Sequence, residues 1–339
     1  MGTFIKIVIS LVIVAVVAAG GVWFAFETYT RSPVQTEARD VTIIVPAGAS
    51  FSQVIDDMVQ QGVITDPYTF KLLVRIREQR HNLKAGEYLM NTAWTPERIL
   101  KELVTGKGVL HTLSFQEGLT WWQVAEKLEQ QGFAKAEDFS KVIHDPEFLK
   151  ANGIPFANAE GFLFPETYKL NKPRVLNEES ARKVASLLIQ TFWRKTASLW
   201  SAKPPNVNEL RRVIILATLV EKETAVPSER PRVAGVYANR IRKGMRMQAD
   251  PTIIYGIGKD FDGDIRKENI LDKTNSYNTY QIKGLPPGPI CSPGLEAIKA
   301  AINPESHNYI YFVARGDGSH KFSKTLKEHN HAVRKYQLK

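Results

Sequence analysis

Twenty consecutive residues, Ile7 to Phe26, carry no charge, and Ser10 is the only plainly polar side chain among them. At about 1.5 Å of rise per residue, a helix of that length crosses a hydrocarbon core of about 30 Å. Residues 7–26 are therefore expected to form one transmembrane helix. The small residues Ala15 to Gly20 would also suit a cleaved signal peptide. The apolar run nevertheless continues through Val22, Trp23, Phe24 and Phe26, with Trp23 suited to an interface, which favours an uncleaved anchor.

Everything else in the chain must then fold beside a membrane. Residues 27–40 are polar enough for a juxtamembrane linker, and the rest of the 339 residues suffices for two domains with their own cores. An internal repeat at an offset of 70 residues follows. Val45-Pro46-Ala47-Gly48-Ala49-Ser50-Phe51-Ser52-Gln53-Val54 aligns with Phe115-Gln116-Glu117-Gly118-Leu119-Thr120-Trp121-Trp122-Gln123-Val124. In each copy an apolar strand enters a glycine turn, Ser50 or Thr120 can cap a helix, and Gly62 or Gly132 can end it. Helices are expected again around 68–77 and 136–143, and Leu83 to Tyr88 as a returning strand. Residues 41–108 thus read as a small α/β module, and 109–339 as a larger α+β domain that includes the second copy at 109–145.

Leu210, Val213, Ile214, Leu216, Ala217, Leu219 and Val220 keep an apolar stripe near a 3.6-residue period, with Asn208 as a possible cap. Glu223 falls on that stripe, three and four residues beyond Val220 and Leu219. A carboxylate held among apolar side chains has its charged form disfavoured, which suits a general acid. Glu221 lies about 200° from Glu223 around the helix and is expected to have a different job. Two solvated glutamates at a fraying helix end would produce the same pattern. Near the C-terminus, Tyr309 to Ala314 reads as a buried strand, with Phe322 its partner after a Gly316–Ser319 turn.

Several further blocks are hard to explain as packing: Glu160-Gly161-Phe162-Leu163-Phe164-Pro165-Glu166-Thr167-Tyr168, Ser228-Glu229-Arg230, Tyr237-Ala238-Asn239-Arg240, Met245 to Gly256, Asn275 to Tyr280 and Gly284 to Ile290. In their order and spacing they resemble the endolytic murein transglycosylase (YceG-like) family. The resemblance implies a lyase that cuts the β-1,4 bond after N-acetylmuramic acid within peptidoglycan strands and leaves a 1,6-anhydro end. It also implies a cytoplasmic end at 1–6, a periplasmic body anchored in the inner membrane, a LysM-like glycan-binding character for 41–108, and cooperation with peptidoglycan synthases. In lytic transglycosylases the catalytic Glu is commonly followed by Ser or Thr. Glu223-Thr224 fits this and Glu221-Lys222 does not, so the resemblance assigns catalysis to Glu223. Gln248, Asp250, Asn278 and Tyr280 lie in the family-like blocks and are candidates for stabilising an oxocarbenium-like transition state. Glu166 and Glu221 join them as candidate cleft residues. Each, taken singly, also reads as a turn, loop or helix-end hydrogen-bonder.

Other classes are weighed against this one. A hydrolysing muramidase needs a second carboxylate, for which Asp250 and Glu166 are available. A noncatalytic peptidoglycan-binding scaffold predicts no effect of removing the Glu223 carboxylate. A pyridoxal-phosphate lyase needs a Schiff-base lysine and a phosphate cradle, and no persuasive glycine-rich cradle follows a strand. No G-x-S-x-G elbow indicates a serine hydrolase. The seven histidines are scattered, the only close pair flanking Asn330, and Cys291 is the single cysteine, so neither metal nor cofactor is expected. The net charge of +10 favours anionic partners, which include peptidoglycan carboxylates and lipid headgroups. Nucleic acid is not expected, because no basic block is interleaved with aromatics.

Overall fold

The computed structural model describes residues 2–46, 48–79, 82–106, 108–173, 175–200 and 205–338. Ala47, part of the repeat's first copy, lies outside the described residues. The architecture is α+β: helices dominate, and the described strands form three two-stranded sheets. The chain divides into two compact units, Met1–Thr112 with Lys169–Arg174, and Leu113–Tyr168 with Val175–Lys339.

The first unit begins with α1 (Gly2–Arg31), exposed along its apolar length through Phe24. It is the one helix among the described residues long and apolar enough to cross a membrane. The helix does not stop where the apolar run ends. Phe26 and Thr30, one turn apart, are both buried, while Glu27 and Arg31 pair at 2.9 Å. Residues 27–31 therefore continue the helix, with only Thr30 among them buried, and an i,i+4 ion pair gave them the polarity of a linker. The segment after it is also tied down: Val34 N–H donates to Trp94 O, Gln35 N–H to Thr92 O and the Gln35 amide to Gly62 O.

The rest of this unit is β1 (Asp40–Val45), α2 (Phe51–Gln60), α3 (Pro67–Ile76), β2 (Gly86–Asn91) and α4 (Pro96–Thr105). β1 and β2 pair antiparallel from Asp40↔Asn91 to Val45↔Gly86. Period-2 alternation sends Ile43, Val45, Tyr88 and Met90 inward, against Val54, Ile55 and Met58 of α2 and Phe70, Leu73 and Val74 of α3. Ser50 and Gln53 form a reciprocal capping box, and Asp66 with Pro67 starts α3. The compact unit extends to Thr112, where Val109 N–H donates to Glu87 O and His111 pairs with the Glu87 carboxylate at 2.8 Å.

β3 (His111–Ser114) pairs with β4 (Thr167–Leu170). The second unit contains α5 (Trp121–Gln130), α6 (Ala136–His144), α7 (Pro146–Ala151), α8 (Glu178–Thr196), α9 (Val207–Glu223), α10 (Arg230–Arg242), α11 (Asp250–Ile257), α12 (Lys267–Leu271), α13 (Leu295–Ile302), the hairpin β5 (Tyr311–Ala314) and β6 (His320–Ser323), and α14 (Leu326–Tyr336). α2 and α5 occupy equivalent positions at the 70-residue offset, and Gly48, Gly62, Gly118 and Gly132 all take positive φ.

α9 is the centre of this unit. Every residue from Val213 to Val220 is buried, so the helix is enclosed on all sides rather than along one stripe. α13, α10 and α11 pack against it. Its cap is Asn206, whose side chain accepts from Glu209 N–H; Asn208 lies inside the first turn. The buried Thr218 hydroxyl donates to Ile215 O at 2.8 Å and accepts from Ile290 N–H at 3.3 Å. The central helix is thereby tied to the loop that precedes α13.

Candidate active site

Glu223 is the last residue of α9, the point at which this enclosed helix reaches a cavity. The cavity has a volume of about 640 Å³ and lies wholly within the second unit. Its walls include Glu223, Tyr237 and Arg240 of α10, Met247 and Gln248, Asp250 of α11, Tyr280, the hairpin residues Tyr311, Phe312 and His320, and His329 and Asn330 of α14.

Burial pushes the Glu223 carboxyl up to about 6. The Tyr237 hydroxyl, which donates to Glu223 Oε1 at 2.7 Å, opposes that rise by stabilising the charged form. Asp250 adds to it through its charge, while His320 and Arg240 pull the other way. The result is a carboxylic acid partly protonated near neutrality and fixed at one oxygen, which leaves the other for a substrate. Tyr237 is fully buried and its own ionisation is pushed far up, first by burial, so it acts as a permanent donor.

Of the other residues expected from sequence, Gln248, Asp250 and Tyr280 line this cavity. The Tyr280 hydroxyl donates to Asp250 Oδ1 at 2.6 Å, which fixes both side chains. Gln248 has φ +50°, a left-handed backbone that a non-glycine residue rarely adopts. Its N–H donates to Thr279 O, and Ala249 N–H donates to the Thr279 hydroxyl, so the loop around Thr279 holds this strained turn against the cavity.

Asn278, Glu221 and Glu166 stand elsewhere. Asn278 is fully buried: its amide donates to Asn269 O, Ile270 O and Asp272 O, and its oxygen accepts from Tyr280 N–H. With every polar atom used inside the loop, it positions Tyr280 and has none left for a ligand. Glu221 points away from Glu223, as the helical period requires. Its Oε2 accepts from Gly294 N–H at 2.8 Å, at the start of α13, and its Oε1 pairs with Arg230 at 3.4 Å. Glu166 is ion-paired with Lys195 of α8 and is absent from the cavity wall. A carboxylate after a proline looks the same in sequence whether it turns to a cleft or to a lysine.

The Tyr237–Arg240 block explains itself once folded. Asn239 donates to His307 O at 2.8 Å and to Tyr309 O at 2.9 Å, and Arg240 Nε donates to Ile310 O at 2.7 Å. α10 thus clamps the strand that forms the opposite wall, while Tyr237, one turn earlier, reaches Glu223. This is why β5 covers only Tyr311–Ala314 within the expected 309–314, with Tyr311 and Phe312 turned partly to the cavity rather than buried.

Three features of the site have no reading in sequence. Glu229 Oε2 lies 2.7 Å from His320 Nδ1, and Glu229 Oε1 accepts from the His320 backbone N–H at 3.0 Å. A carboxylate 91 residues away in the chain therefore sets the orientation of a cavity imidazole. Tyr311 and His329 stack with ring centroids 5.1 Å apart, forming an aromatic platform in the same wall. Gly256 lies so close to Asn275 that any Cβ would overlap its amide. The Glu229 block was visible as unusual; its partner, a lone histidine after a glycine turn, carried no signal.

The family model of the YceG-like family matches residues 43–335, most of the first unit and nearly all of the second. The chain belongs to the YceG-like family. It is 29% identical to a Bacillus subtilis protein named endolytic murein transglycosylase, over 92% of this chain and 89% of that one. A Streptococcus pneumoniae protein of the same name is 30% identical over 90% of this chain, which spans 60% of the longer pneumococcal protein. The crystal structure of a YceG-like protein from Listeria monocytogenes superposes with a TM-score of 0.55 at 30% identity, covering 87% of this chain and 99% of that one. All the residues lining the cavity around Glu223 except Gln337 lie within the span that the family model matches.

Proposed function

We propose that this YceG-like protein is a membrane-anchored lytic transglycosylase that cuts the β-1,4 bond between N-acetylmuramic acid and N-acetylglucosamine inside nascent peptidoglycan strands. The relatives named endolytic murein transglycosylase, aligned over most of the chain, support the activity class. The observation that carries the mechanism is Glu223: a carboxyl raised to about 6 by burial, donated to by Tyr237, and open to a cavity large enough for sugar rings.

Glu223 in its acid form protonates the glycosidic oxygen as the bond to the muramic acid anomeric carbon breaks. The resulting carboxylate takes the proton of the muramic acid 6-hydroxyl as that oxygen bonds to the anomeric carbon. Glu223 ends as the acid again, having given one proton to the leaving glycosidic oxygen and taken another from the 6-hydroxyl; no water is consumed, and the product is a 1,6-anhydro end. Asp250, held by Tyr280, supplies negative charge for the oxocarbenium-like transition state, and Gln248 supplies polar contacts. Tyr311 and His329 offer a face for a sugar ring.

The N-terminus lies in the cytoplasm, and the chain beyond the span lies outside the inner membrane. Residues 41–108 form a LysM-like module that holds glycan. A single span confines cutting to a thin layer above the bilayer, where the synthases that extend the strand are its partners. Cleavage there terminates elongation.

Asp250 also favours a second reading, since two carboxylates in one cavity is the arrangement of a hydrolysing muramidase. Product analysis separates the two. Incubated with uncrosslinked glycan strands, the protein is expected to generate anhydromuramic ends by mass, and the Glu223→Gln variant none. Reducing ends would assign hydrolysis, and uncut strands with the folded native protein would overturn both readings in favour of a binding scaffold.

A further inference from the structure

The first unit carries an apolar stripe that its core does not use. α3 buries Phe70, Leu73 and Val74, yet Tyr68, Leu72 and Ile76, spaced four residues apart, are 83%, 41% and 38% exposed. Lys71 and Arg75 lie along the same outer face. Lys71 approaches Asp56 at 3.9 Å and remains half exposed.

The position of α3 says what this face meets. The start of the helix reaches α1 directly, on the turn just past the apolar run, and its end does so through α4. The Tyr29 hydroxyl donates to Asp66 O at 3.1 Å, at the helix start. Arg77, one residue past the helix end, pairs at 3.0 Å with Glu97 of α4, which itself packs on α1. α1 is exposed through Ala25, so both ties fall on its last turn and α3 crosses the anchor rather than running beside it. If α1 stands near the membrane normal, α3 lies near the membrane plane. Its start is at the level of Tyr29, three residues beyond Phe26, about 4.5 Å, which is inside a headgroup layer of about 5–8 Å.

We infer that α3 is a second membrane contact, its Tyr68–Leu72–Ile76 face lying in the headgroup layer beside α1, with Lys71 and Arg75 on anionic lipid headgroups. This rests on the reading of α1 as a membrane span. The buried face of α3 and Phe26 share one hydrophobic core, so the exposed face is turned away from the protein. Tyrosine at such a level places its ring among glycerol and acyl segments and its hydroxyl in water, and basic residues beside an apolar stripe are the chemistry that binds an anionic bilayer surface. The consequence is orientation: a span alone lets its module rotate and tilt, whereas a span with a helix lying in the surface fixes the first unit relative to the bilayer.

The only native cysteine, Cys291, is buried, so a label can be directed to chosen sites in the full chain. The protein is placed in nanodiscs of phosphatidylcholine and phosphatidylglycerol with a fluorophore on Tyr68→Cys, Leu72→Cys or, as a reporter of the span, Val12→Cys. Nitroxide-bearing lipid is then added, with the nitroxide either near the headgroup or deep in the acyl chain. Labels at 68 and 72 are expected to be quenched severalfold by the headgroup nitroxide, and Lys71→Glu with Arg75→Glu to remove most of that quenching at 72. The label at 12 should respond to the deep nitroxide in either background. Quenching at 12 with none at 68 and 72 would overturn the inference while leaving the anchor intact. No quenching at 12 would remove the span and the inference with it.

Discussion

Burial sets the working range of Glu223, and two of its neighbours, the Tyr237 hydroxyl and the Asp250 carboxylate, shift it in opposite directions. Burial lifts the carboxyl to about 6, so the fraction in acid form, and with it glycan cleavage, is expected to fall as pH rises through that value. Tyr237 donates to the charged form; without it the acid form persists to higher pH. Tyr237→Phe should therefore move the falling limb of the kcat/KM profile upward. Asp250 disfavours the Glu223 anion through its own charge, so Asp250→Asn should move that limb downward. Measuring cleavage against pH for both variants checks the assignment. Limbs that shift together, or stay with the native one, would mean that another group titrates. Either variant will also be slower, because Tyr237 and Asp250 line the cavity in which substrate is to bind.

At the level of elements, helix termini decide much of what the molecule can do. α5 starts with its Trp121 N–H donating to Glu160 Oε2 at 2.9 Å, a carboxylate brought from 39 residues downstream. Favourable as a helix N-terminus is for an anion, complete burial of Glu160 outweighs it and pushes the carboxyl up to about 8. The folded protein thus keeps a proton that the unfolded chain loses near pH 4.5. Stability from this group is fully present below that value and is lost as pH rises towards 8, at about 1.4 kcal/mol per pH unit for one proton. Glu160→Gln keeps an acceptor for Trp121 and removes the titration, so denaturant melts at pH 8 should show it more stable than the native protein. Equal slopes of stability against pH in both proteins would exclude the role. The sequence offered Thr120 as the cap of α5, and the structure uses its backbone only: Gln123 accepts from Thr120 N–H, but the Thr120 hydroxyl finds no partner among the described residues. The same limit recurs through the chain. Periodicity and turn residues placed α2, α5 and α9, because those signals are local. It did not reveal that α9 is enclosed on every side, that Glu166 turns to Lys195, or that Glu229 and His320 meet, because each depends on a contact made across the fold.

For the whole molecule, the unexpected join is the one between anchor and body. A flexible linker would let the first unit fold without α1, yet Phe26 and Thr30 belong to that unit's buried interior, and Tyr29 and the 34–35 segment add hydrogen bonds to it. Removing Phe26 exposes the apolar surface it covers, which for a large aromatic side chain amounts to about 1.5–3 kcal/mol. A chain begun at Ser32 should therefore keep the second unit and its cavity intact while the first becomes less stable than in a chain begun at Val22. Hydrogen exchange resolves the units: amides of α2, α3 and β1–β2 should lose protection in the shorter chain, and those of α9 and α10 should not. Equal protection in both chains would show that α1 ends as a tether at the membrane surface. Loss of protection confined to the first unit would make the anchor part of that domain, so that the small module stands in register with the bilayer instead of swinging above it.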